Sequence, residues 1–508
     1  MVLAVLAGAG CHRAPGPPRI DTPIVATLVG GPVRIDGSDF GDRGSDRSVV
    51  VGTTRIVATD ASVTTWADQT VIFNLPPNAP SGTVALQTPQ GTSAKIPLEV
   101  YAYDAFPIPG TNVFPLAVAV DSLHRVWVSS EFHFDIFHVL DPASGAFTVL
   151  SIPKPVDPGP FATRLLNTDQ RTQMSELGED ILVDDRGRIW LTEGGGLLYE
   201  RRPDGSGQNP NHSRIVCYDP AAPPNAGFRV YAIPGDRNEV IGMAWDARQG
   251  RLWFAQGGRE AGARLWSFDP EKLPYDTQSP TFDFSTSLDS LIGPAGYQVH
   301  VLPSPTMYSG HLALDPDGHV WFTGYLKNVI GRLDPAAGTV EEFPLPARIG
   351  LDPASTHFNT SGSWQILLAP DGSVVWNEQF DSRIGRLDAA RVRAGDPACR
   401  ALDGAGKNPC AKLLDVPGAD LATQLLHSIA FDARGRLWYT QHGPRVAGGT
   451  ASLGFATGDW SSVVRLPPLP HGAGDGPLAN DGLAIDGSTG DIWFAEYFAQ
   501  RIGRLRLR

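Results

Sequence analysis

Cysteine is scarce in this chain, four residues in 508, and no two of them stand in a CxxC spacing. With no clustered histidines beside them, nothing in the spacing supports a zinc site. Charged residues are also sparse, at 19 %. The net charge of −13 offers none of the basic field that sequence-independent nucleic-acid binding requires. No apolar run approaches the roughly 18 residues that cross a bilayer as a helix. There is no low-complexity tract, so disorder does not describe the bulk of the chain. The G-x-S-x-G elbow, the P-loop and HExxH are all missing.

Glycine and proline are abundant instead, 56 and 44 residues. Spread between Val-, Ile-, Leu- and Trp-rich runs, they predict many short strands joined by turns, an all-β fold. The apolar fraction of 42 % is ample for a core. Residues 1–10 (MVLAVLAGAG) are small and apolar, and Cys11 follows at once. This resembles a bacterial lipoprotein signal, with Ala14–Pro18 as a tether, and makes 1–19 a signal and tether segment. The expectation is an exported protein anchored by lipid on Cys11, periplasmic or at the cell surface. Cys399 and Cys410 flank a short Gly/Asn/Pro loop and suit a local disulfide. Cys217 lies in an apolar strand pattern and reads as a buried free thiol.

Residues 20–102 form one unit. Strand-like runs at Ile24–Val29, Ser48–Val51, Val71–Leu75 and Gly82–Gln87 alternate with turns at Gly37–Gly44, Pro76–Ser81 and Pro89–Thr92. The order Gly37-Ser38-Asp39-Phe40-Gly41, Val49-Val50-Val51-Gly52, Trp66-Ala67-Asp68, Leu75-Pro76 and Ser81-Gly82-Thr83-Val84 resembles an IPT/TIG domain, a small immunoglobulin-like sandwich. Trp66 would fill the space between its sheets. The resemblance implies a spacer or protein-contact module.

Residues 103–508 are a repeat: an apolar strand, a tight Asp/Gly turn, and a second strand carrying Trp. Clear copies are His311–Gly324, Asp180–Glu193, His427–Gln441 and Leu483–Glu496, with weaker ones at Leu116–Ser130, Ile241–Gln256 and Trp364–Glu378. The Trp position is held by Trp127, Trp190, Trp253, Trp321, Val375, Trp438 and Trp493, at intervals of 54–68 residues. A third strand carries Ile-Gly-Arg (Ile330–Pro335, Ile384–Asp388, Ile502–Leu505), and a fourth ends in Pro (Phe147–Pro153, Phe228–Pro234, Glu342–Pro346). Four strands repeated seven times predict a seven-bladed β-propeller. The last copy lacks its outer strand, and Ala105–Pro109 matches the missing piece. An N-terminal outer strand would therefore close the ring.

Two positions per blade should gather at one channel mouth. At the start of the inner strands these are Leu116, Glu179, Ile241, Gly310, Trp364, His427 and Asp481. At the end of the second strands they are Ser130 with Glu131, Glu193, Gln256, Gly324, Glu378, Gln441 and Glu496. Carboxylates, carboxamides and a histidine in one ring suit a divalent cation or a polar ligand. Insertions at Lys154–Gly178, Gly194–Ser213, Ala347–Ser363 and Gly443–Gly458 would wall the same mouth. Asp184, Asp315, Asp432 and Asp486 read as turn formers, including the Asp-x-Asp-Gly at Asp315–Gly318. The tryptophans read as packing between blades. His311, one position off the mouth series, reads as structural.

The phrase D-x-x-G-x-hydrophobic-Trp-Phe-Thr-Glu, followed by I-G-R-hydrophobic-D-P and E-F-P-L-P, resembles the streptogramin B (virginiamycin B) lyase family. The resemblance implies a seven-bladed propeller that linearises cyclic depsipeptides by Mg²⁺-dependent elimination. Such chemistry needs a base to take a proton next to a carbonyl and a metal to meet the developing charge. Carried onto this chain, the resemblance makes His427 the base and Glu496 the Glu of the phrase, and His442, beside Gln441, is expected to join His427 as a catalytic histidine. Glu496 and Asp481, the latter standing where a histidine would strengthen the likeness, are the expected ligands of Mg²⁺ or another divalent cation, with Glu378 and Glu193 as secondary ones. Gln441 departs from the pattern, since it stands where His427's own blade would carry Glu. The competing expectation is a non-enzymatic exported surface protein. Its channel mouth would bind a carbohydrate or peptide, and a protein partner would meet residues 20–102.

Overall fold

A computed structural model describes residues 16–110, 113–131, 136–151, 180–193, 214–223, 227–233, 239–257, 263–273, 292–293, 296–303, 309–325, 327–346, 362–417, 425–442, 451–470 and 480–508. The segment 1–15 with Cys11 lies outside the described residues, as do most of the expected insertions: 154–178, 194–213, 347–361 and 443–450. The chain divides into two compact units, one of residues 1–103 with 506–508 and one of residues 104–505.

The first unit is built from two sheets. One orders its strands Arg19–Ile20, Pro32–Ser38, Thr70–Asn74, Val63–Ala67. The other sets the strand beginning at Ile96 beside Gly82–Thr88, then Ser48–Val51 and Thr54–Val57, with Val25–Leu28 running parallel to the Ile96 strand. Val33, Ile35, Phe40, Val49, Trp66, Phe73 and Leu86 pack into one core. The Trp66 indole N–H donates to the Phe40 carbonyl at 3.3 Å, which satisfies its polar edge inside that core. The expected turn at Gly37–Gly44 starts inside a strand. Exposed and buried residues alternate only over Pro32–Ile35, and pairing with Arg19–Ile20 carries the strand on through Gly37 and Ser38.

In the second unit, six four-stranded antiparallel sheets follow in chain order over 114–151, 181–232, 239–301, 309–344, 363–415 and 426–465. The strands Asn480–Ile485, Ile492–Glu496 and Arg501–Leu507 come last, and the strand Ile96–Pro107 pairs with the outermost of them. Within this unit, the Ile108 N–H donates to the Gln500 carbonyl at 3.0 Å. Asp104 pairs with Arg504 at 2.8 Å, and the Phe106 ring lies 5.7 Å from that of Trp493. The free edge of the last sheet is thereby covered.

In four repeats an aspartate holds the tight turn and also accepts the indole N–H of the repeat tryptophan. Asp184 accepts from the N–H groups of Arg186 and Arg188 through Oδ1, both at 2.9 Å, and from Trp190 Nε1 through Oδ2, also at 2.9 Å. Asp121, Asp315 and Asp432 bind Trp127, Trp321 and Trp438 in the same way. In these four repeats the Asp and Trp are thus one device, whereas the buried Trp493 Nε1 has no hydrogen-bond partner. The indole N–H is satisfied at the turn, which frees the ring to pack against the next sheet, as Trp190 does on Trp245 at 5.9 Å.

A short helix, Ala389–Arg393, and a 3₁₀ turn, Pro397–Arg400, precede the outer strand of the fifth sheet. Asp388 and Asp396 cap them by accepting backbone N–H groups. A Cys399–Cys410 disulfide closes this loop, and Cys217 is a buried free thiol whose pKa burial pushes well above the ordinary range. Replacing both Cys399 and Cys410 by serine is expected to cost about 2–3 kcal/mol, the range for a loop of this length. Urea unfolding with and without reductant checks this: the wild type should lose the same amount on reduction, and the double variant should not respond.

Candidate functional site

The site is built on a repeated irregularity. In five of the six sheets and in the last one, the innermost strand carries a bulge, two residues opposing one on the second strand. The bulged pairs are Leu116–Ala117, Ile241–Gly242, Gly310–His311, Trp364–Gln365, His427–Ser428 and Asp481–Gly482. Opposite several of them stands the Thr or Asn of the repeat phrase, and its side chain ties two sheets together. The Thr440 hydroxyl accepts from the Ser428 N–H at 2.9 Å and donates to the Asp481 carbonyl at 2.7 Å. The Asn377 side chain accepts from the Gln365 N–H at 2.8 Å, and its amide donates to the His427 carbonyl at 3.1 Å. Thr323 links His311 N–H and Trp364 carbonyl likewise. The backbones that carry Trp364, His427 and Asp481 are therefore fixed by neighbouring sheets rather than by loops.

His427, His442 and Asp481 come together on this frame. His427 Nδ1 lies 3.6 Å from Asp481 Oδ1, and His442 Nε2 contacts the same oxygen. The two imidazoles stack at 5.1 Å with an interplanar angle of 14°. The His442 N–H donates to the Leu425 carbonyl at 2.9 Å, which sets the residue at the end of its strand. Burial lowers the His427 pKa to about 4, an effect that the nearby Asp481 offsets and that His442 and His311 reinforce. His427 is therefore neutral at pH 7, with too little proton affinity to serve as the base expected of it.

A second pair lies on the other side of Trp364. The His311 ring meets Trp364 edge-on at 5.2 Å, and Trp364 is 6.0 Å from the His427 ring. His311 Nδ1 is 3.7 Å from Asp180 Oδ2, which also accepts the Met243 N–H at 2.8 Å. Gly242 makes room for this, because a Cβ there would come within 2.4 Å of the His311 Cα. The purely structural role expected for His311 came from strict alternation along the strand. The bulge breaks that alternation and brings the second residue of the pair to the Trp364 cluster as well. Tyr325 adds a further ring 5.1 Å from Trp364 and donates to Gln379 at 2.9 Å.

Glu378 and Glu496 do not join the histidines. Each is fully buried and faces the third strand of its own sheet: Glu496 accepts from Arg501 Nε at 2.6 Å, and Glu378 from Arg383 Nε at 2.6 Å. The physical reason is register, since the last residue of the second strand stands opposite the arginine that opens the third. Gln441 repeats the arrangement in neutral form, accepting from Ser452 at 2.8 Å. Glu193 stands opposite Arg214, and its side chain lies outside the described residues. The carboxylate ring expected for Mg²⁺ is therefore not assembled among the described residues. Two imidazoles and one carboxylate do not make the oxygen-rich octahedron that Mg²⁺ demands, so Mg²⁺ does not fit this donor set. The sequence showed no clustered histidines because the three residues of the cluster are 15 and 39 positions apart.

A ring of four-stranded sheets with its polar cluster on the innermost strands defines the class, a β-propeller. Solved propellers agree. A streptogramin B lyase structure matches with a TM-score of 0.52 at 19 % identity, over 80 % of this chain and 98 % of that one. A catalytically inactive variant of virginiamycin B lyase from Staphylococcus aureus, solved with quinupristin, matches with a TM-score of 0.52 at 16 % identity, over 80 % and 100 %. No family model and no curated protein matches this chain.

Proposed function

We propose that this protein is a seven-bladed propeller enzyme of the carbon–oxygen lyase type, opening an ester-linked molecule such as a cyclic depsipeptide by elimination. Six complete sheets and a last one closed by the strand ending at Pro107 support the blade number. In this reading residues 20–102 are an IPT/TIG-like spacer. Cys11 carries the lipid anchor of an exported protein, and the ligand enters at the channel mouth.

The observation that carries the reading is the placing of two histidine–aspartate groups on either side of Trp364. In the elimination, a base removes the proton next to the carbonyl, that electron pair becomes the new double bond, and the carbon–oxygen bond breaks. His311 is the base: Asp180 beside Nδ1 favours the tautomer that leaves Nε2 free to accept. His427 and His442 face the departing oxygen and meet its charge. Trp364 and Tyr325 give the substrate an apolar wall between them.

Incubation with a type B streptogramin such as quinupristin, followed by chromatography and mass spectrometry, tests this. The expected product elutes differently at unchanged mass, and His311→Ala slows its formation by about a hundredfold or more. A gain of one water would mean a hydrolase. An unchanged substrate would favour the second reading, a surface protein that binds a carbohydrate or peptide. Two observations support that alternative: the arginines that neutralise Glu378 and Glu496, and the Trp364–Tyr325–Phe380 group of rings.

A further inference from the structure

We infer that His427, His442 and Asp481 bind a borderline divalent transition ion of the Zn²⁺ class. The inference concerns the same site as the lyase reading and stands or falls independently of catalysis. The donor atoms, one from each residue, all lie within 4.8 Å of one another. Donors about 2.0–2.1 Å from a tetrahedral ion sit roughly 3.4 Å apart. The 3.6 Å between His427 Nδ1 and Asp481 Oδ1 is already close to that spacing.

A second observation points to a ligand. His427 Nδ1 is buried and has no hydrogen-bond partner. Leaving such an atom unsatisfied costs about 1–3 kcal/mol, which a metal bond would remove. The scaffold is also suitable. His427 and Asp481 occupy matching bulges of neighbouring sheets, and Asn377 and Thr440 hold their carbonyls. Imidazole nitrogens with a single carboxylate select Zn²⁺, Co²⁺ or a similar ion over Mg²⁺. Three protein ligands leave a fourth position open to water or a substrate oxygen. An ion held there would supply the positive charge that the departing oxygen needs.

The test uses untagged full-length protein stripped with a chelator and titrated with Co²⁺, then with Zn²⁺ and Mg²⁺. One Co²⁺ per chain should bind with the visible absorption of a tetrahedral site. Zn²⁺ should displace it, and millimolar Mg²⁺ should not. His427→Ala and His442→Ala should each weaken binding by more than about tenfold. His319→Ala, altering the other described His/Asp group at Asp315–Asp317–His319, should leave it unchanged. Thermal unfolding of the metal-free variants shows whether each remains folded, and Asp481→Asn provides a third, near-isosteric probe of the site. Co²⁺ binding that survives all three substitutions, or that Mg²⁺ displaces, would overturn the inference. Metal binding without conversion of quinupristin would sink the lyase reading and leave the metal site standing. Conversion by stripped protein that binds no Co²⁺ would do the reverse.

Discussion

Gly385→Ala is expected to destabilise the propeller by about 3 kcal/mol or more, the upper range for overpacking a core. Gly331→Ala and Gly503→Ala should do the same. These are the glycines of the Ile-Gly-Arg phrase, and each lies beneath an aromatic ring of the neighbouring second strand. A Cβ at Gly385 would come within 2.1 Å of the Trp376 ring, at Gly331 within 2.0 Å of Phe322, and at Gly503 within 2.3 Å of Phe494. All three rings are completely buried, so none can yield by swinging out into solvent. The backbone at these positions is ordinary strand, so the cost is steric and not conformational. Gly487→Ala is the control, because nothing lies within 4 Å of a Cβ there. Urea unfolding of the four variants checks the prediction. Equal midpoints would show that the sheets relax around a methyl group and that the rings are not locked.

Arg383→Ala should cost about 3–5 kcal/mol at pH 8, because it strands a buried carboxylate. Arg383 binds Glu378 at 2.6 Å, Asp381 at 2.6 Å and the Pro346 carbonyl at 3.0 Å, so its single charge is shared between two acids. Burial nonetheless pushes the Glu378 pKa from 4.5 up to about 7, with Arg383 and Trp376 pulling against it and Asp381 adding to it. A raised folded-state pKa contributes stability that is whole below pH 4.5 and is lost as the pH climbs through about 7. The wild type should therefore lose up to roughly 3 kcal/mol from this group across that window. Glu378→Gln should remove the slope. Arg383→Ala should steepen it, since at pH 5 the Glu378 carboxyl is protonated and the ion pair lost is the one with Asp381 alone. Unfolding free energies at pH 5, 6.5 and 8 decide the matter. A cost for Arg383→Ala that does not change with pH would show that Arg383 does not govern the titration of Glu378.

These two devices explain phrases that were readable as a pattern and opaque as physics. The glycine of Ile-Gly-Arg is a clearance for a ring, and the arginine immediately before that phrase, Arg383 or Arg501, is the partner of the glutamate that ends the preceding strand. The same arginine explains why the glutamates of the repeat looked functional in sequence. A Glu at the end of every second strand is what a metal ring would need, and equally what an internal ion pair would need. Only register separates the two, and register puts Glu378 and Glu496 opposite Arg383 and Arg501.

The sequence by itself determined the strand-rich class, the four-strand repeat, the Asp/Gly turns, and His427 with Asp481 at inner-strand starts. Those features are local: a period of two, a turn residue and a recurring phrase are each readable within about fifteen positions. Tertiary structure decided which of the candidate side chains meet. The bulge shifts the inner strand by one residue, so His311 joins Trp364, and Asp180 reaches it from two sheets away. His427, His442 and Asp481 become neighbours because successive sheets return their inner strands to one axis, a closure that no single repeat encodes.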